Sequence, residues 1–181
     1  MTLMKSLSKG LALAISGGFL SGEAIANSDP STDFQTKLQV SPNLELMTDE
    51  GAVLLSDQSV QLIYLDFWAS WCAPCKLSFP FMQGLHQRYG DAGLKVIAIC
   101  LDQHRKDADK FLKSSQPSFT IAYDPKGASA RQMGLKTMPS AWVMTGKELR
   151  MLYHHAGFRA SDPALLEPKI KQLLLMVGRA R

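Results

Sequence analysis

Two apolar runs of strand-forming residues constrain this chain more than any other feature. Residues 60–69 read VQLIYLDFWA and residues 93–102 read GLKVIAICLD. A strand with one face in water alternates apolar and polar residues, and these runs barely alternate. Each is expected to be a central strand covered on both faces, which requires helices on both sides of a sheet. Between them lies a helical pattern in which Leu77, Phe81, Met82, Leu85 and Tyr89 recur before Gly90. Pro80 falls inside that pattern and is expected to kink it.

The remaining segments extend the same plan. NLELMTDEGAVLLS (43–56) reads as a hairpin around Asp49-Glu50-Gly51. An amphipathic helix is expected over 106–115, a short strand over 118–124, and a turn with a short helix over 125–134. A second hairpin covers 140–158, turning at Thr145-Gly146-Lys147. A final helix spans 162–177, with Asp162 as its cap and Pro163 in its first turn. Alternation of strand and helix gives an α/β fold with a central mixed sheet flanked by helices; the last hairpin supplies an antiparallel edge.

The first residues belong to a different problem. Lys5 and Lys9 precede an apolar stretch, Gly10 to Leu20, and then Ala24-Ile25-Ala26. This order is that of a cleaved secretory signal covering 1–26; a weakly amphipathic helix is the alternative. Residues 27–42 read as a loose polar arm. The first cysteine is Cys72, so none lies near the cleavage point to carry a lipid. The expectation is a periplasmic protein with no stable membrane insertion after cleavage. A net charge of +4 with no block of Lys or Arg gives no support for nucleic-acid binding.

The chain has three cysteines, Cys72, Cys75 and Cys100. A disulfide-stapled scaffold would carry four or more at wider spacings, so a close pair plus a single points to chemistry. Cys72 sits where the first buried strand hands over to a helix. Free N–H groups and the helix dipole there favour an anion, and so a thiolate. Cys75 follows one turn later, near enough to close a small disulfide, while Trp71 would shield the pair and Pro74 would stiffen the turn. Half of a zinc site is the first alternative, but there is no second CxxC, and His154 and His155 on a strand would point to opposite faces. Two inert core cysteines are the second. Cys100 reads as a buried core thiol, and the methionines are too scattered for a copper box. Asp66 interrupts an apolar run, where a carboxylate is costly, and is therefore a functional candidate.

DFWASWCAPCK, with Pro80 five residues after Cys75, resembles the active-site segment of thioredoxins. Met138-Pro139 resembles the cis-proline loop of the same superfamily. The leading hairpin, the signal-like start and residues 103–136 resemble the exported TlpA/ResA/CcmG-like branch, over roughly residues 40–177. The resemblance implies a thioredoxin fold over 43–181 with an N-terminal β-hairpin extension. It implies Cys72 as nucleophile and Cys75 as resolving cysteine, with Asp66 exchanging a proton with Cys75 through water. Pro139 would be cis and packed against the disulfide, and the Met138 backbone would pair with an extended substrate. Trp71, Ala73 and Pro74 would border the contact surface. Two positions depart from relatives: Ser78 stands where many ResA-like proteins have glutamate, and Ala98 where cytosolic thioredoxins place a lysine opposite the aspartate. The implied activity is thiol–disulfide exchange without cofactor or metal, in the reducing direction, often toward apocytochrome c or metallochaperone cysteines. Its partners would be protein thiols or disulfides and an upstream membrane electron donor. A disulfide oxidase or isomerase, or a non-catalytic copper-binding module, is the alternative.

Overall fold

β3 (Leu62–Trp68) is buried at every position, as its composition requires. The computed structural model describes residues 44–57 and 60–179; the expected signal segment 1–26 and the arm 27–42 lie outside the described residues. β3 pairs in parallel with β4 (Leu94–Cys100) and antiparallel with β6 (Ser140–Thr145). β5 (Thr120–Tyr123) lies parallel to β4, and the leading hairpin, β1 (Glu45–Thr48) and β2 (Gly51–Leu54), joins that side through an antiparallel β1–β5 pairing. β7 (Met151–Ala156) closes the other edge, giving the strand order β2-β1-β5-β4-β3-β6-β7.

Alternation along β3 divides the core. Tyr64 and Trp68 face α1 (Ala73–Tyr89), α2 (Arg105–Ser115) and α4 (Pro163–Arg179), where Phe79, Met82, Leu85, Ala108, Leu166 and Ile170 pack. Ile63, Leu65 and Phe67 face the opposite layer, with Leu44, Leu46, Leu55 and the region of α3 (Ala128–Gln132). Burying one such side chain fully contributes about 1.5–3 kcal/mol. Phe79 stacks edge-on against Trp68 and Phe111 at 4.7 Å each, so three elements meet under the start of α1.

The helix keeps the expected face except at Leu77: Phe81, Met82 and Leu85 are buried and Tyr89 packs against the core. Its buried residues are Cys75, Ser78, Phe79, Phe81, Met82 and Leu85, while Leu77 is 52% exposed. A 3.6-residue period places 75, 78, 82 and 85 on one stripe and turns Leu77 about 100° away from it. α1 continues across Pro80, which lies on the solvent side where water can take the carbonyl freed at Lys76.

Asp162 departs from its expected role. Its carbonyl accepts from the Leu165 and Leu166 N–H groups, but its carboxylate turns back to His155 Nε2 at 3.0 Å and to the Arg159 N–H at 2.8 Å. At the other edge, Arg105 pairs with Asp49 of the hairpin turn at 2.6 Å and with Asp109 at 2.7 Å, and lies over the Tyr123 ring. Gly146 is required by close approach, because a Cβ there would stand 2.0 Å from the Val60 carbonyl oxygen. Among the described residues, no helix is long and apolar enough to cross a membrane.

Candidate active site

The β3–β4 ladder continues past Trp68, whose carbonyl accepts from the Leu101 N–H at 2.9 Å. The chain then turns, with Cys72 N–H donating to the Ala69 carbonyl at 3.0 Å. Cys72 is the N-cap residue of α1, in extended conformation, and no side-chain bond caps the helix there. A sulfur thus occupies the position where a serine or aspartate oxygen would meet the free N–H groups of the first turn. Pro74 stands in that turn, where its missing N–H costs no intrahelical bond.

Cys72 and Cys75 are bridged, with an S–S distance of 1.98 Å. Cys72 keeps 5% exposure and Cys75 1%. The Met138–Pro139 bond is cis and Pro139 is buried. A groove of about 450 Å³ has Trp71, Cys72, Ala73 and Pro74 on one wall and Leu135, Lys136, Thr137 and Met138 on the other. Trp71 does not lie as a shield: it is 70% exposed at the groove's rim. The structure therefore gathers five of the expected site residues on one surface, Trp71, Cys72, Ala73, Pro74 and Met138, with Pro139 next in sequence.

Asp66 is elsewhere, under that surface. It is 1% exposed, and its strand partners are Ala98 on β4 and Ala141 on β6. Burial pushes its carboxyl well above the usual carboxylate range; the neighbouring Phe67 N–H and Ser78 side chain oppose that shift and are smaller influences. Its Oδ2 has no hydrogen-bond partner. Ser78 sits between acid and dithiol: its hydroxyl donates to the Cys75 carbonyl at 3.0 Å and lies in reach of the Asp66 carboxylate. Helical spacing from Cys75 was the signal that could have marked Ser78 as a contact and not merely a departure.

Cys100 is a buried thiol, as expected. It pairs with Trp68 across the ladder, and its Sγ donates to Asp102 Oδ2 at 3.4 Å. Burial pushes it up to about 12. His154 stacks on Trp142 while His155 meets Asp162, so the two histidines take opposite faces of β7. Among the described residues, no three or more His, Cys, Asp or Glu side chains are gathered as a metal site.

A bridged CxxC at a helix N-terminus, facing a cis-proline loop across a groove on this sheet, defines a thioredoxin-fold protein with a redox-active dithiol. The Redoxin family profile matches residues 26–151, and the chain belongs to that family. It is similar to the DsbE-homologous thiol:disulfide interchange protein of Paracoccus denitrificans, 31% identical over 81% of this chain and 83% of that one. It is also similar to the thiol-disulfide oxidoreductase ResA of Oceanobacillus iheyensis, 32% identical over 64% of this chain; there it spans only 58% of the relative's length. A crystal structure described as a thiol:disulfide interchange protein DsbE from Chlorobium tepidum superposes with a TM-score of 0.71. The two are 40% identical over 75% of this chain and 96% of that one.

Proposed function

We propose that this chain is an exported thiol–disulfide oxidoreductase that reduces protein disulfides through Cys72 and Cys75. The observation that carries the reading is Cys72 as the N-cap of α1, bridged to Cys75 and open to the groove beside Met138. In the reduced protein the Cys72 thiolate attacks one sulfur of a substrate disulfide. That S–S bond breaks, a mixed disulfide forms, and the departing substrate sulfur takes a proton. Asp66 in its ionised form then takes the proton of Cys75, which attacks Cys72 Sγ. The bridge closes, the second substrate sulfur leaves and is protonated, and two electrons have passed to the substrate. A carboxyl held well above its usual range suits this exchange better than an ordinary aspartate, since its proton affinity lies closer to that of a thiol. An extended substrate segment pairs with the Met138 backbone, as an added strand does.

The basic and apolar start of the chain supports export through a cleaved signal and periplasmic residence. The resemblance to the ResA/CcmG-like branch supports apocytochrome c or metallochaperone cysteines as substrates. A membrane electron donor would then restore the dithiol. The test is trapping: Cys75→Ser should accumulate mixed disulfides through Cys72, while Cys72→Ser should trap little and lose turnover. Faster alkylation of Cys75 than of Cys72 at mildly acidic pH would overturn the assignment.

A further inference from the structure

The structure assigns Asp102 as a positioning residue for the dithiol, its carboxylate bracing the turn that presents Cys72. The inference rests on Cys72 being the attacking sulfur. Asp102 lies just past the end of β4 and is only 7% exposed. Its carboxylate receives the Ser70 N–H on both oxygens, at 3.0 and 3.2 Å, and the Ser70 hydroxyl at 3.2 Å. The Cys100 thiol completes the set at 3.4 Å. A carboxylate this buried would be costly if unpaired, and bonds to an ionised acceptor are about twice as strong as neutral ones.

Ser70 lies inside the turn closed by the Cys72 N–H and the Ala69 carbonyl. It is two residues before the nucleophile and adjacent to Trp71, the exposed rim of the groove. The bond between Leu101 N–H and Trp68 carbonyl holds the strand end, but the turn beyond it is tied to β4 through Asp102. The benefit a helix N-terminus gives an anion falls off within the first turn. A turn free to shift would therefore weaken thiolate stabilisation at Cys72.

The charge on Asp102 acts in the opposite sense, since an anion near the dithiol disfavours a thiolate. Two substitutions separate the effects: Asp102→Asn keeps an acceptor for Ser70 and removes the charge, and Asp102→Ala removes both. A brace predicts that Asn stays close to the wild type. Ala should raise the Cys72 pKa by about one unit, read as roughly tenfold slower iodoacetamide labelling below that pKa. Ala should also move the redox midpoint toward more reducing values, with Asn near the wild type. Equal lowering of the Cys72 pKa in both variants would reduce Asp102 to a charge. Equal raising, or no change in either, would also overturn the brace. Should Asp102→Ala fail to fold, deuterium exchange at the Ser70 amide of the unaltered protein decides: slow exchange is expected, and the rate of an exposed amide would sink the idea. Peptide mapping of the labelled cysteine in the wild type keeps the questions apart. Label on Cys75 would refute the nucleophile assignment and leave the amide measurement to judge the brace.

Discussion

Asp66 on β3 stands opposite Ala98 on β4, a residue that offers its buried carboxyl neither charge nor hydrogen bond. Ala141 flanks it on the other side. Burial therefore dominates, and the neutral acid is the favoured form well above the ordinary carboxylate range. Repulsion of the dithiol by this carboxylate therefore begins only once the pH has passed the raised value.

Folding stability should follow the same proton. Because the folded-state value is raised, the folded protein binds more protons than the unfolded chain above pH ~4. Stability contributed by the buried acid is complete below that point and is lost as pH rises toward the folded value, at about 1.4 kcal/mol per unit. Asp66→Asn removes this slope. Urea midpoints of the oxidised protein should show the variant gaining on the wild type from pH 4.5 to pH 8. Parallel curves would mean the carboxyl is ionised or solvated in the folded protein.

Cys100 should be chemically silent in the folded state. With its thiol pushed up to about 12, roughly one part in 10⁵ is thiolate at pH 7. The oxidised protein should show no thiol reactive toward an aromatic disulfide reagent until urea is added, and then one. Cys100→Ala should keep most turnover. Loss comparable to that of Cys75→Ser would place this sulfur in the mechanism.

The fold and the redox pair were legible because both are written in short range. The runs 60–69 and 93–102 have few ways to be buried except as central strands, and the residues from Trp71 to Cys75 put a sulfur at a helix start whatever the rest of the chain does. What could not be read depends on which side a helix turns and on pairings distant in sequence. Leu77 and Ser78 are neighbours, and hydrophobicity alone buries the wrong one; the sheet contact of Cys75, Met82 and Leu85 decides for Ser78. Asp162 looks like a cap until His155, on another element, takes its carboxylate. Asp102 reads as a polar strand end until Ser70, 32 residues earlier, is seen bonded to it.

Trp71 offers a separation of binding from stability. At 70% exposure it has little packing to lose, so Trp71→Ala should change the unfolding free energy by no more than about 0.5 kcal/mol. As the rim of the groove it should matter to the substrate. KM for a protein disulfide should rise on the order of tenfold, equivalent to about 1.4 kcal/mol, with kcat little changed. Unchanged KM would move the contact surface away from this wall.

The redox midpoint tests direction, and its pH dependence tests Asp66. A stabilised thiolate favours the reduced form and makes a dithiol oxidising; DsbA at about −120 mV and thioredoxin at about −270 mV mark the range. Cys72 has the helix N-terminus in its favour, but Ala73 and Pro74 between the cysteines bring neither charge nor imidazole. The midpoint should lie nearer thioredoxin's. Below the raised Asp66 range the buried acid is protonated, so Asp66→Asn should there match the wild type. As pH rises through the raised Asp66 range the wild type gains a buried negative charge beside the dithiol, disfavouring its thiolate. The variant is spared, so its midpoint should become the more oxidising of the two, by a margin that grows to pH 8.5. Glutathione-equilibrated titrations at several pH values would show this divergence. A pH-independent offset would remove Asp66 from the proton exchange, and a wild-type midpoint close to DsbA's would replace the reductase with an oxidase or isomerase.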